Sequence, residues 1–464
     1  QPRPPRRQFG RGFGTRSFPM TTLSAPLDSR RFQSALLLLL GPLFIGVSFV
    51  LLLHRVEPVT TLFYLCAWYG IIWTLDRLIQ WREGRSLIAR CGPAFLLILF
   101  WSAVGWYAFE LINFRLQNWY YIFVLDHPVL QTLNAVFSFA TIFPGLLWLE
   151  YYLGLRGVAA GWQGRCWSLT PRRLTLLQIA GLIGLALVLV WPRFFFPLTW
   201  LAFILLLAPV EYRRLPDSLL HQLARGDYAP LTRQLLAGFI AGGLWEFFNY
   251  WAQVKWIYTV PFFEELKLFE MPLAGFLGFP PFAVECALVY RLLVWHRLAP
   301  PLGAHRDQRP EPTKVWNALV IVLLAAAFAL TVNHYIYLNV GSVKPRLGKV
   351  DSLDTIARTF LQDEGIVYLT DLEAGGSAEI WRQMEGKLGR EYTQTTRGLI
   401  ELYLHQGIGA EYGNLLAKTS IRSLADLAAL SAAQVEDRIN ALPGNVRRPT
   451  PAQIRLWIRR IPGP

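Results

Sequence analysis

Charged residues are scarce in this chain. Asp, Glu, Lys and Arg make up 16% of its 464 residues, against roughly 25% in average soluble proteins. With 53% hydrophobic residues, 14% aromatic residues and a mean hydropathy of +0.33, that deficit excludes a disordered chain and a simple soluble enzyme. Cysteine is rarer still, with four copies. Cys66 and Cys286 fall in apolar runs, and Cys91 and Cys166 lie near the ends of others. No disulfide framework is therefore expected, and no CxxC spacing offers a metal or haem-attachment site. The seven histidines are scattered, and only His334 sits well within an apolar run. Facing imidazoles for a b-type haem are not expected, and neither is any other cofactor. The aromatic bundle surface leaves room only for a bound lipid, quinone or pigment. Acidic residues are outnumbered 31 to 45, for a net charge of +14. In a soluble protein such a surplus would point to nucleic acid or an anionic surface; in a mostly apolar chain it needs another explanation.

What the sequence does have is long apolar runs. About 17 or more such residues cross a hydrocarbon layer of roughly 30 Å. Nine runs qualify, at about 32–54, 58–78, 93–114, 129–154, 174–191, 195–211, 231–254, 271–295 and 315–338. The fifth and sixth are near the minimum length, and the stretch 174–211 reads either as two spans joined by a hairpin at Pro192-Arg193 or as one kinked helix. Arginine decides the orientation, because cytoplasmic connections carry the excess of Lys and Arg. The segment before the first run holds seven arginines against Asp28. The second, fourth, sixth and eighth connections are rich in arginine, as in Arg82-Arg85-Arg90 and Arg165-Arg172-Arg173. The odd connections hold only Arg55, Arg115, Arg193, and Lys255 with Lys267 beside Glu264, Glu265 and Glu270. The expectation is an integral protein of an inner or plasma membrane, its N-terminus cytoplasmic and its C-terminal part extracytoplasmic, periplasmic in a Gram-negative cell. Residues 1–31 read as a disordered basic cytoplasmic tail rather than a targeting peptide.

The chain repeats itself. Glu110 and Asn113, followed by Trp119 and Tyr121, recur as Glu246 and Asn249, followed by Trp256 and Tyr258. Phe143-Pro144 and Glu150 recur as Phe279-Pro280 and Glu285, and Ser86-Leu-Ile recurs as Ser218-Leu-Leu. The offsets stay within a few residues of 136, so 32–154 and 174–296 read as two parallel copies of a four-helix unit. Connections at 155–173 and 297–314 and a ninth span at 315–338 complete the membrane part. A carboxylate in hydrocarbon is costly and faces a bundle interior or a wet cavity. Glu110, Asn113, Glu246, Asn249 and Glu285 are therefore the candidate intramembrane polar site, for a proton, a cation or a polar headgroup. The competing reading makes them interhelical hydrogen bonds worth roughly 1 kcal/mol each. The Trp and Tyr residues that follow read as an interfacial aromatic belt, and Pro144, Pro280 and Pro281 as helix kinks.

From 345 to 464 the composition is that of a soluble helical domain with its own repeat, at offset 55. Ile366 matches Ile421, Asp371-Leu372 matches Asp426-Leu427, and Ile380 matches Val435. Gly407-Ile408-Gly409, then Tyr412, Leu415-Leu416, Ile421 and Leu424-Ala-Asp-Leu427 resemble the helix-hairpin-helix pattern. The paired copies, closed by Leu442-Pro443 and Trp457-Ile458, resemble the uncharacterised tandem helix-hairpin-helix domain family. The resemblance implies a hairpin turn at Gly407, Ile408 and Gly409 whose amides, in DNA-binding relatives of the superfamily, cradle a phosphate. Here only the second copy keeps the glycines, and the first reads Ser352-Leu353-Asp354. With 15 Lys and Arg against 14 Asp and Glu from 345 onward, the domain lacks the basic surface that phosphate binding needs. Its one basic cluster is Arg447, Arg448, Arg455, Arg459 and Arg460.

The fold expected is all-α: a polytopic membrane bundle of about nine spans with a soluble tandem helix-hairpin-helix domain. The function expected is an accessory or scaffold subunit of a larger membrane complex, energy-transducing or photosynthetic, rather than an enzyme. Its partners would be other subunits and lipid, not nucleic acid. The alternatives are an enzyme or transporter acting on a lipid, isoprenoid or ion through the Glu/Asn pairs, and a membrane-anchored DNA receptor.

Overall fold

Where the hydropathy is continuous, helices form, because only a helix satisfies its own backbone in lipid. The computed structural model describes residues 29–260, 262, 266–302, 315–339, 341–373, 377–444 and 448–462. The basic tail through residue 28, Glu264, Glu265, Arg447 and most of the eighth connection lie outside the described residues. Eight helical stretches among the described residues are long and apolar enough to cross a membrane. They are Leu36–Leu53, Val59–Glu83, Leu87–Leu116, Pro128–Leu155, Pro171–Val190, Pro192–Arg214, Leu273–Trp295 and Val315–Leu338.

A further long helix, Ala229–Trp251, packs among them. It is less apolar because its buried side is polar in part: Gln234, Glu246 and Asn249 face the interior beside Ala237, Ala241 and Trp245. The stretch 174–211 is a hairpin and not one kinked helix. Pro192 disfavours helical geometry at the residue before it, and Trp191 ends the Pro171–Val190 helix at φ −124°. The two arms then pack on each other, with Gly181 against the Ala202 carbonyl and Leu206.

The prolines expected to kink helices instead sit near helix starts. Pro280 is in the first turn of Phe279–Trp295, after a 3-10 segment at Leu273–Gly278, and Pro144 is in the first turn of Ile142–Leu155. Proline is tolerated there because the first turn's N–H groups have no intrahelical acceptor.

Asp76 and Glu211 are equivalent in the two halves, and both are fully buried. Asp76 accepts from the Ile88 amide at 3.0 Å, and Glu211 from the Leu219 amide at 3.1 Å. Each thereby holds a short helix whose N-cap is a matching serine, Ser86 or Ser218. The arginine-rich connections share this end of the bundle: Trp167 donates to the Tyr228 hydroxyl at 2.6 Å, and Gln163 pairs with Asp227.

The molecule is predominantly helical, as the all-α reading expects, with a few short strands added. Among the described residues these are β1 (Trp119–Val124), β2 (Lys255–Tyr258), β3 (Lys267–Leu268), β4 (Met271–Pro272) and β5 (Gly341–Val343). β1 is central in a three-stranded sheet, antiparallel to β2 and parallel to β5, while β3 and β4 form a small hairpin. The Trp-Tyr segments are strands.

After the last long helix, two lobes follow, each with its own apolar core. Leu353, Leu361, Ile366 and Leu372 are buried in one, and Ile408, Leu416, Ile421 and Leu427 in the other. Asp371 Oδ2 accepts from the Val367 amide at 3.1 Å, and Asp426 Oδ2 from the Arg422 amide at 2.9 Å. The same turn chemistry thus recurs at the offset of 55 residues.

Candidate functional site

The candidate intramembrane residues converge on the sheet. Asn113 Nδ2 donates to the Trp119 carbonyl at 2.9 Å, and its Oδ1 accepts from the Asn118 amide at 2.9 Å. Asn249 does the same with both backbone groups of Trp256, at 2.9 Å each. In both halves an asparagine near a helix end stands in for a strand, satisfying main-chain groups that would otherwise be orphaned.

Glu110 Oε1 accepts from Trp106 Nε1 at 2.8 Å, from Trp119 Nε1 at 2.9 Å, and from the Tyr121 hydroxyl. Glu246 Oε1 accepts from the Tyr258 hydroxyl at 2.8 Å. Trp106 lies on the same helix as Glu110, while Trp119, Tyr121 and Tyr258 donate from the strands, so none of these bonds joins one helix to another. Glu285, by contrast, is not brought to the sheet: it is buried on the helix Phe279–Trp295.

The register explains the symmetry. Trp119 lies opposite Tyr258, Tyr120 opposite Ile257, and Tyr121 opposite Trp256. Exchanging the two copies at an offset of 137 maps this ladder onto itself, so a local twofold axis passes through the Tyr120–Ile257 pair, perpendicular to the sheet. Side chains alternate along a strand. Trp119, Tyr121 and Tyr258 point to the glutamates, while Tyr120, Ile122 and Ile257 point away and pack with Leu456 of the C-terminal domain.

That second face receives the hairpin. A Cβ on Gly407 would lie 2.2 Å from the Tyr120 hydroxyl oxygen, and one on Gly409 would lie 2.6 Å from the Val343 carbonyl. Both glycines have positive φ, +88° and +63°, which only glycine adopts freely. Ile408 between them is fully buried. The turn at Gly407, Ile408 and Gly409 therefore faces this chain's own sheet. In the first lobe, the corresponding Asp354 caps the helix Thr355–Asp363 through the Ala357 amide at 2.8 Å.

Ion pairs surround the contact. Arg55 meets Glu373 at 2.7 Å, Lys344 meets Glu57 at 2.8 Å, and Lys349 meets Asp126 at 3.4 Å. Glu270 is buried between Lys255 at 2.9 Å and Arg460 at 2.6 Å. Burial opposes ionisation of Glu270 and of Glu57, but in each case the cationic partners outweigh it and hold the carboxyl below its usual range. His405 is half-buried with Nε2 2.8 Å from the Trp457 carbonyl, and desolvation lowers its pKa. Of the basic cluster, Arg460 is thus spent on Glu270 and Gln406, and Arg448 bonds the Leu442 carbonyl.

Sequence reasoning missed Asp76, Glu211, Glu57 and Glu270. The first two were visible as buried acids at offset 135, but an Asp matched to a Glu hides the repeat.

No protein-family model matches the chain, and comparison with curated proteins and with solved structures finds no significant match.

Proposed function

We propose that the protein is an accessory or scaffold subunit of a larger membrane complex, which holds a tandem helix-hairpin-helix domain in fixed orientation above its bundle for a partner subunit to dock on. The observation that carries this reading is the use of the two motifs best suited to chemistry. Glu110, Asn113, Glu246 and Asn249 fasten the sheet, and Gly407 and Gly409 fasten the domain to it. A DNA receptor would need those hairpin amides free.

Ala229–Trp251 is a ninth crossing. Its 23 residues give about 34 Å of helix, from the arginine-rich end to the sheet. With nine crossings the arginine-rich end is cytoplasmic, and the C-terminal domain is extracytoplasmic.

The docking face is a groove of about 930 Å³ whose walls come from both parts of the molecule: Tyr250 and Phe269 from the bundle, Trp381, Leu404 and Arg397 from the domain. A partner filling it reads the membrane part and the domain together, as another membrane subunit does. Aromatic and arginine side chains are the usual anchors of such interfaces.

Purification in a mild detergent tests the reading. A stoichiometric partner is expected with the wild type, lost from Arg397→Glu, an exposed residue of the groove, while that variant's own unfolding temperature holds. A lone chain under those conditions, or a partner retained by the variant, contradicts it.

A further inference from the structure

We propose that the cavity enclosed between the sheet and the bundle binds the hydroxylated ring of a membrane-dissolved isoprenoid, of the prenylquinol class. This site is separate from the docking groove, and the inference does not depend on the docking reading.

The cavity measures about 160 Å³. An apolar cavity of about 150 Å³ takes up benzene, so the space suits one six-membered ring and not a bulky headgroup. Its walls are aromatic and come from both halves of the repeat: Trp106, Trp119 and Tyr121 from one, Trp245, Trp256 and Tyr258 from the other. Flat rings stack on or meet edges with a flat guest more favourably than with a flexible acyl chain.

Two polar atoms on the walls lack partners. Trp245 Nε1 and Gln131 Oε1 are buried without a hydrogen bond, on side chains 5% and 6% exposed. Leaving such groups unsatisfied is costly. They are a donor and an acceptor, and ring hydroxyls complement both: one oxygen accepts from the indole, and one O–H donates to the amide.

An anionic headgroup fits poorly. Among the described residues Lys255 is the one cation on the lining, and its ammonium is already engaged by Glu270 at 2.9 Å and by the Tyr250 carbonyl at 3.1 Å. Glu110 and Glu246 stand behind the wall. Their Oε1 atoms hold Tyr121 and Tyr258 in place, and their second oxygens are buried without partners. This keeps the surroundings of the cavity acceptor-rich and favours a ligand that brings protons to share.

The test is calorimetric titration of the full chain in detergent with a short-chain prenylquinol carrying one isoprene unit, kept reduced. A single saturable site is expected. Gln131→Leu and Trp245→Phe each weaken binding at least tenfold, and Gln131→Leu leaves the unfolding temperature of the unliganded protein unchanged or raised, since it removes an unsatisfied buried atom at similar volume. A merely structural role would lower that temperature instead. No saturable heat overturns the proposal. So does equal binding by either variant, equal affinity for an unhydroxylated ring such as β-ionone, or displacement of the quinol by a lysophospholipid.

Discussion

The Tyr120 hydroxyl fills the space in front of Gly407. A side chain begun at Gly407 would place its Cβ 2.2 Å from that oxygen, closer than non-bonded atoms approach. One residue belongs to the central strand of the sheet and the other to the hairpin of the C-terminal domain, so this contact couples the two parts.

Gly389 supplies a matched control for the contact. It has the same φ as Gly407, +88°, but open space in front of it. Gly389→Ala is expected to cost only backbone strain, about 1–2 kcal/mol. Gly407→Ala costs that and the clash, and releases the domain to protease. Adding Tyr120→Phe to Gly407→Ala removes the clashing oxygen, so thermal unfolding of the double variant should be less impaired than the two single effects predict together.

The acids of the bundle are expected to behave as fasteners. Glu110→Gln keeps an acceptor for Trp106, Trp119 and Tyr121, so it should lower stability by only about 1–3 kcal/mol. Glu110→Leu leaves the Trp119 and Tyr121 donors buried without an acceptor and should prevent assembly of the sheet. Thermal unfolding in detergent distinguishes the two. Equal behaviour of Gln and Leu would show that the carboxyl fastens nothing.

Acid should undock the domain. The folded pKa of Glu270 lies below its ordinary 4.5, so its contribution is full above about pH 4.5 and is lost as pH falls through the lower folded value. His405 acts in the same direction: its folded pKa is below the ordinary 6.5, so the unfolded state takes up protons first and stability falls as pH drops below about 6.5. Glu270→Gln should leave Lys255 and Arg460 facing a neutral partner, at a cost of about 3–5 kcal/mol for a broken buried pair. It should also flatten the acid limb of a stability profile. An unchanged acid limb would contradict the ion-pair account.

Topology is open to direct measurement. A cysteine placed at Arg165 should react with an impermeant maleimide only after the cells are opened, and one placed at Arg382 should react in intact cells. Labelling of both from the same side would remove Ala229–Trp251 as a crossing.

Most of the long helices were legible because lipid demands continuous apolarity, whereas the hairpin at Trp191-Pro192 was one of two readings of 174–211 until the packing of its two arms decided it. The sheet was not. Trp119-Tyr-Tyr121 and Trp256-Ile-Tyr258 are aromatic, which suits both a membrane interface and a strand. The period-two spacing of Trp119 with Tyr121, and of Trp256 with Tyr258, was the available signal for strands. What decided between the two was the pairing of Asn113 and Asn249 with strand main chain, a contact that spacing alone does not reveal. The pairing of the candidate acids with those same strands was hidden for the same reason, and Glu285 shared their sequence pattern without sharing their partners.

Hydrogen exchange in detergent, followed at 119–124 and 405–412 in the wild type and in Gly407→Ala, tests the central claim most directly. The account predicts that both segments are slow in the wild type and become fast together in the variant, because sheet and hairpin hold each other. A hairpin that exchanges rapidly in the wild type while the strand stays protected would contradict it.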